Sequence, residues 1–419
     1  MKVLFVCHRV PFPPKRGGKI RPFNIIRHLT SRGHRVTVAS LARDARELEE
    51  ARGLGEHCER VCIETVPTAA AWARMIARLP TSHPSSFGYF HSPQLGRRVR
   101  AELATGAYEL VFVHCSSVAG YVARVHGAGA RVDAEGAREA LRILDFGDMD
   151  SQKWREYVRY KPLPLSAGYW LEAVKLERAE ARLAGRFDLC TCTTRAELDS
   201  LRALGADTRS DWFPNGVDGA YFQPTADYDP GLVVFVGRMD YYPNQQAVLE
   251  FCREVLPPLR RDRPTVRFEI VGADPPQSIR DLGRLPGVTV TGSVADVRPH
   301  VARAALTVAP LTIARGTQNK ILESMALGVP VVCSVAASRG VDAVAGEHLL
   351  IASGTGQYTA AIRQILESPV LRERLARAGR ERVLTHHAWE RSMARLDQLI
   401  ETALERRMQV RSSQAYAVS

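Results

Sequence analysis

Residues 314–332, Ala-Arg-Gly-Thr-Gln-Asn-Lys-Ile-Leu-Glu-Ser-Met-Ala-Leu-Gly-Val-Pro-Val-Val, read as a loop, a short helix and a buried strand. Ile321, Leu322, Met325 and Leu327 recur at roughly helical spacing, Gly328 suits a helix C-terminus, and Val329-Pro330-Val331-Val332 starts an apolar strand. Packing accounts for that helix and strand, but not for Gly316-Thr317-Gln318-Asn319-Lys320. A glycine, small polar residues and one lysine at a helix start supply free backbone N–H groups, the positive end of the helix dipole and a mobile cation. Such an end suits a phosphate.

Outward from this stretch, strand-like runs alternate with helical ones. In the first half they are Val3–Cys7, a helix near Arg21–Ser31, Val36–Ser40, a helix near Arg43–Gly53, Leu110–His114, Leu141–Asp145, a helix near Ala167–Ala184, and Leu189–Thr193. Turn chemistry at Asp211-Trp212-Phe213-Pro214-Asn215-Gly216-Val217-Asp218 ends this half. The rhythm restarts with Leu232–Val236, a helix near Asn244–Val255, Arg267–Val271, Val288–Thr291, Leu306–Ala309 and Val329–Cys333. Repeated βα units make an α/β protein with two Rossmann-like, doubly wound domains, expected to face a central cleft. The expected boundaries are 1–217 for an N-terminal Rossmann-like domain, 218–231 for a linker rich in Pro, Asp and Gly, and 232–390 for a C-terminal Rossmann-like domain. Residues 391–419 are expected to form a helix and a tail that is frayed from about Arg406.

The 419 residues are 45% hydrophobic and 24% charged, enough for two or three real cores. Lys plus Arg exceed Asp plus Glu by 57 to 45, a net +12, which favours anionic partners without choosing among nucleotides, nucleic acid and acidic lipid. The arginines are scattered through helices and no nucleic-acid module is recognisable, so nucleic acid is not an expected partner. Eight cysteines, mostly single within apolar runs and never as CxxC, read as reduced core residues of a cytoplasmic protein. No apolar run is long enough to span a membrane. The basic, aromatic region 154–161, with Leu163, Leu165, Tyr169 and Trp170 beyond it, suits either a peripheral contact with an anionic membrane or a solvated face packed by aromatic anchors.

Three further places invite chemistry, each with a plainer reading beside it. Gly17 and Gly18, flanked by Lys15, Arg16 and Lys19, let backbone approach an anion closely, or simply turn the chain. Arg238, just past the first strand of the second half, could hold a diphosphate bidentately or pair with Asp240, and Asn244 is placed to cap the following helix. His114 ends a buried strand, where open α/β sheets hold ligands, or is an ordinary hydrogen-bonding histidine.

Together these pieces resemble the retaining nucleotide-sugar glycosyltransferases of the GT-B fold, family 4. The resemblance covers essentially the whole chain. It rests on the Gly17-Gly18 loop, His114, Pro214-Asn215-Gly216-Val217-Asp218, Gly237-Arg238-Met239, Ile270-Val271-Gly272 and, most specifically, Glu323-Ser324-Met325-Ala326-Leu327-Gly328-Val329-Pro330-Val331-Val332. The stretches 144–154, 239–244 and 315–320 look like a bacterial subgroup associated with exopolysaccharide and exosortase loci.

What the resemblance implies is a metal-independent hexosyltransferase with no cofactor. It would move a sugar from an NDP-sugar, UDP-linked by expectation, to a glycan or lipid-linked acceptor in exopolysaccharide biosynthesis. The first domain would bind the acceptor and the second the nucleotide sugar: Glu323 would accept hydrogen bonds from the donor ribose hydroxyls, Gly316, Thr317 and the helix start at Asn319 would cradle the distal phosphate, and Gly17, Gly18 and Arg315 would lie against the donor. Arg238 and Lys320 would neutralise the leaving diphosphate, Val294 marks the base-holding region, and His114 would contact the transferred sugar. Two departures stand out. Arg315 occupies the position of a family glutamate that reads the donor sugar, and the usual lysine after Gly-Arg-Leu falls at Pro243, leaving its contact to Lys320. The alternative is a non-catalytic sugar-nucleotide sensor or scaffold, which Arg315 favours.

Overall fold

A computed structural model describes residues 1–14, 17–123, 140–206 and 209–416, with side chains up to residue 409. The chain forms two compact units, Met1–Phe213 with Met393–Ser419, and Pro214–Ser392.

The first unit holds a seven-stranded, all-parallel sheet of order β3-β2-β1-β4-β5-β6-β7. The strands are β1 (Lys2–Cys7), β2 (Arg35–Ala42), β3 (Arg60–Thr65), β4 (Leu110–His114), β5 (Leu141–Gly147), β6 (Leu189–Cys192) and β7 (Ser210–Trp212). Strands β1, β4 and β5 are near-continuous apolar runs because helices cover both faces of a parallel sheet. The second unit repeats the plan with six strands, β10-β9-β8-β11-β12-β13. These are β8 (Asp229–Val236), β9 (Arg267–Val271), β10 (Val288–Gly292), β11 (Ala304–Ala309), β12 (Val331–Cys333) and β13 (Leu350–Ile351). Its core packs Phe235, Phe251, Phe268, Leu306, Met325 and Ile362.

In both sheets the winding direction reverses beside the first strand, between β1 and β4 and between β8 and β11. Ligands of open α/β sheets bind outside the carboxyl ends of strands at such reversals. His114 closes β4 and Gly237-Arg238 follows β8, so each lies at the reversal of its own sheet.

Several local expectations change. Gly17 and Gly18 are the first residues of the helix Gly17–Ser31, not loop, while the neighbouring Lys15 and Arg16 lie outside the described residues. Part of the turn chemistry at 211–218 is strand β7, and the end of the 218–231 stretch is already strand β8. The helix Trp389–Tyr416 continues through the region expected to fray from Arg406. All eight cysteines are free thiols. Among the described residues no helix is long and apolar enough to cross a membrane.

Candidate functional site

In the second unit, the helix Asn319–Ala326 presents Lys320 and Glu323 one turn apart, and Gly328 follows its end at φ +68° as the expected left-handed terminator. The Lys320 ammonium donates to Asn244 Oδ1 at 2.7 Å and lies 4.4 Å from the centre of the buried Phe235 ring. Asn244 is not the helix cap its sequence position suggested. That position is Tyr241, and the Asn244 amide instead donates to the Arg238 carbonyl at 2.8 Å. One side chain thus ties the lysine to the loop that carries the arginine, with Gln245 Nε2 bonding the next carbonyl, Met239 O, at 2.7 Å.

Glycines let these groups close up. A Cβ on Gly237 would stand 2.7 Å from Asn244 Nδ2 and 3.0 Å from Lys320 Nζ. A Cβ on Gly340 would meet the carbonyl oxygen of Gly316, itself at φ +61°. In the loop so held, Thr317 Oγ1 and Asn319 Oδ1 are buried without a hydrogen-bond partner, and Gln318 Nε2 donates to Arg315 O at 2.9 Å. Buried polar atoms are nearly always paired, so two orphans at a helix start leave hydrogen-bonding capacity for something else.

Burial lowers the Lys320 ammonium to about 7, with the nearby Glu323 charge opposing that shift; burial raises the Glu323 carboxyl to about 7, opposed by Lys320. Among the described residues no hydrogen bond engages the Glu323 carboxylate. Arg238 is already occupied. It bonds Asp240 at 2.6 and 3.0 Å and Asp274 at 2.5 Å, and these carboxylates, Asp240 foremost, hold its pKa above the ordinary value. The plainer reading of Arg238 is therefore the one realised in this state. Asp274 adopts φ +57°, unusual for a residue with a side chain.

Asp274 also borders an open groove of about 740 Å³, lined further by Pro275, Arg280, Thr291, Gly292 and Ser293 at the carboxyl end of β10. Val294, the residue singled out by sequence, follows Ser293 and packs its side chain against an apolar cluster that includes Val271 and Val301.

In the first unit, Lys19 follows Gly17 and Gly18 in the first turn of their helix. Lys19 is buried, bonded to Phe12 O at 3.4 Å and paired with Glu47 at 3.5 Å, while a Cβ on Gly18 would face open space. His114 is more committed. Its Nδ1 lies 2.7 Å from Asp145 Oδ2, and its ring centre is 5.7 Å from that of His8. Burial, aided by Arg9, lowers His8 to about 3, so that ring is neutral; burial also raises the Asp150 carboxyl beside it.

Residues 230–368 match the family model described as Glycosyl transferases group 1. No curated protein matches the chain. Among solved structures, it is similar to sucrose-phosphate synthase from Thermosynechococcus elongatus at 17% identity and TM-score 0.71, over 97% of this chain and 99% of that one. It is similar to Anabaena HepE, solved with UDP-glucose, at 16% identity and TM-score 0.66, over 97% and 100%. An S. aureus TarM variant, solved with UDP and α-GlcNAc-glycerol among its ligands, aligns at 10% identity and TM-score 0.66, over 95% and 99%. The chain has the GT-B fold, and the stretch that matches the glycosyl transferases group 1 model lies within its second unit.

Proposed function

We propose that the protein is a retaining, metal-independent family 4 glycosyltransferase, of the bacterial exopolysaccharide and exosortase-associated type. It moves a sugar from a UDP-linked donor to a hydroxyl of a glycan or lipid-linked glycan. The observation that carries this reading is the strand-end assembly of Lys320, Asn244 and the Arg238 loop beside two orphaned buried oxygens, inside the segment that matches the family model. Lys320 neutralises the leaving diphosphate and the helix start cradles its distal phosphate. Arg238 joins it by exchanging Asp240 and Asp274 for phosphate oxygens. Glu323 accepts the ribose hydroxyls, the loop from Arg315 to Asn319 faces the donor, and the groove at Thr291–Ser293 takes the base. As the sugar–phosphate bond breaks, a diphosphate oxygen takes the acceptor proton and the new bond forms on the face just vacated. His114 contributes hydrogen bonding to sugar hydroxyls.

Thermal unfolding with UDP, GDP, ADP and CMP in EDTA tests this. One nucleotide at ~100 times its Kd should stabilise the protein by about 2.7 kcal/mol. Glu323→Ala should lose most of that shift while its own melting temperature stays near that of the parent. A shift that survives in the variant would remove Glu323 from the donor site.

The ion pairs that occupy Arg238, together with a cation at position 315, favour a second reading, a sensor or scaffold that binds the sugar nucleotide without turning it over. Nucleotide binding with no transfer to any glycan acceptor would select it.

We also propose that the first unit rests on the inner face of an anionic membrane, which would bring a lipid-linked acceptor within reach. Trp154, Tyr157 and Tyr169 pack on one another, so they are not the contact surface. The outward residues are Leu163, Leu165 and Trp170, with Trp72, Ile76 and Leu79 from another helical segment, all at least half exposed. Lys175 ties the two segments together by donating to Leu79 O at 2.7 Å. Apolar side chains with Arg159 exposed nearby, and Arg155 alongside in an ion pair with Glu177, suit a headgroup boundary. Flotation should show binding to vesicles containing phosphatidylglycerol, reduced at least fivefold by Trp72→Ser with Trp170→Ser. Binding that ignores both the anionic lipid and the two tryptophans would end the proposal.

A further inference from the structure

The Asp145 carboxylate, fully buried at the end of β5, accepts four hydrogen bonds. Arg21 donates Nε to Oδ2 and one terminal nitrogen to Oδ1, each at 2.8 Å; Thr191 Oγ1 donates to Oδ1 at 2.8 Å; and His114 Nδ1 is 2.7 Å from Oδ2. Burial alone would raise this carboxyl, but the Arg21 charge and hydrogen bonds, with His114, outweigh it and hold the group below the usual carboxylate range. Asp145 is therefore ionised and can only accept. His114 Nδ1 must therefore carry the proton in this bond.

We propose that Asp145, backed by Arg21, is a positioning residue that locks His114 in the Nδ1–H tautomer and presents Nε2 as a hydrogen-bond acceptor for a sugar or acceptor hydroxyl. Among the described residues nothing engages Nε2. The outer edge of the ring is kept clear by Gly147, at φ +69°, whose Cβ would lie 3.4 Å from His114 Cε1. The role follows from the charge count. A carboxylate paired with one histidine would stabilise an imidazolium and make a strong base, whereas here the bidentate guanidinium cancels that charge. Arg21 is itself fixed by donating to Phe213 O at 2.9 Å and by lying 3.6 Å from the centre of the Phe213 ring. What remains is orientation: a ring tethered through Nδ1, with Nε2 on the side away from the carboxylate. The assignment of the hydroxyl to sugar chemistry rests on the proposed function; the tautomer does not.

Nitrogen-15 NMR of the histidine-labelled protein tests the tautomer directly, without a variant. The expected result is protonation of His114 at Nδ1 alone at neutral pH, and a proton on Nε2 would overturn the proposal. Asp145→Ala takes away the acceptor on Nδ1 and should let the ring revert to the Nε2–H form that an unconstrained histidine side chain prefers. The kcat should then fall on the order of a hundredfold, with donor KM within about twofold, the loss expected when one hydrogen bond made in the transition state is left unsatisfied. Thr191→Val removes one bond to the carboxylate and should cost stability without moving the tautomer. An Asp145→Ala protein that keeps Nδ1–H, or loses no more kcat than Thr191→Val, sinks the positioning role. A tautomer that moves in a protein with no transferase activity sustains the positioning role and overturns the glycosyltransferase reading instead.

Discussion

Replacing Lys320 by methionine should lower kcat by about 10²–10³-fold, the usual loss when one preorganised group that stabilises developing charge is removed. Methionine keeps the length and apolar body of the side chain, and lysine already lies on the Phe235 ring, so folding should be nearly untouched. The same residue sets a pH dependence for ligand binding. In the free protein burial has lowered its ammonium to about 7, so at pH 8 it is largely neutral. A bound diphosphate favours the charged form, so at that pH binding should take up close to one proton. Affinity should then weaken as pH rises above about 7, by up to about tenfold per unit. Glu323, raised to about 7, is mostly ionised by pH 8 and adds little there. For the free protein the signs are opposite for the two groups. The depressed lysine penalises folding as pH falls from its unfolded value towards 7, while the raised glutamate penalises it as pH climbs from its unfolded value through 7. Calorimetry of UDP binding in buffers of different ionisation enthalpy measures the proton count. An uptake that persists in Lys320→Met would assign it elsewhere, and parallel losses of turnover and melting temperature would make Lys320 structural.

The parts of this molecule legible in the sequence are those specified locally. Strands β1, β4, β8 and β9 are apolar runs with turn residues after them, and the Lys320–Glu323 spacing follows from helix geometry once Ile321, Leu322 and Met325 reveal the helix. Strand β3, Arg-Val-Cys-Ile-Glu-Thr, escaped notice because it is a sheet edge with only partial burial, and β7 and β13 are too short to show a period. The positioning groups escaped for a different reason. Asn244 meets Lys320 across 76 positions, Asp274 meets Arg238 across 36, and Arg21 meets Asp145 across 124. Each is a polar residue whose partner is chosen by sheet order, and sheet order is not written in any one window. Asn244 illustrates the error: locally it is a good cap, yet a cap and a bridge between two cations' loops use the same amide. Arg238 shows the converse, since its location was legible and its acidic companion Asp274 was not.

Gly272→Ala should be the most damaging small substitution in the second unit. Its Cβ would stand 1.8 Å from Gly237 O, a backbone atom that cannot rotate away. The strain is steric: Gly272 is not among the residues at positive φ, so alanine is conformationally acceptable there and only the neighbour forbids it. Relief requires the loop after β8 to part from the loop after β9. These loops are joined by Gly237 N donating to Val271 O at 3.0 Å and Met239 N to Ala273 O at 2.8 Å. Overpacking typically costs about 1–3 kcal/mol, and each lost hydrogen bond adds about 1, so a total on the order of 3–5 kcal/mol is expected. The loss also has a direction. The moving segment carries Gly237, against which Lys320 and Asn244 pack, and Arg238, so UDP affinity should fall even where the protein is still folded. Denaturant melts and UDP titration of the same sample separate the two effects. Full stability in Gly272→Ala would show that these loops part freely, whereas lost stability with parental UDP affinity would place the phosphate away from the end of β8.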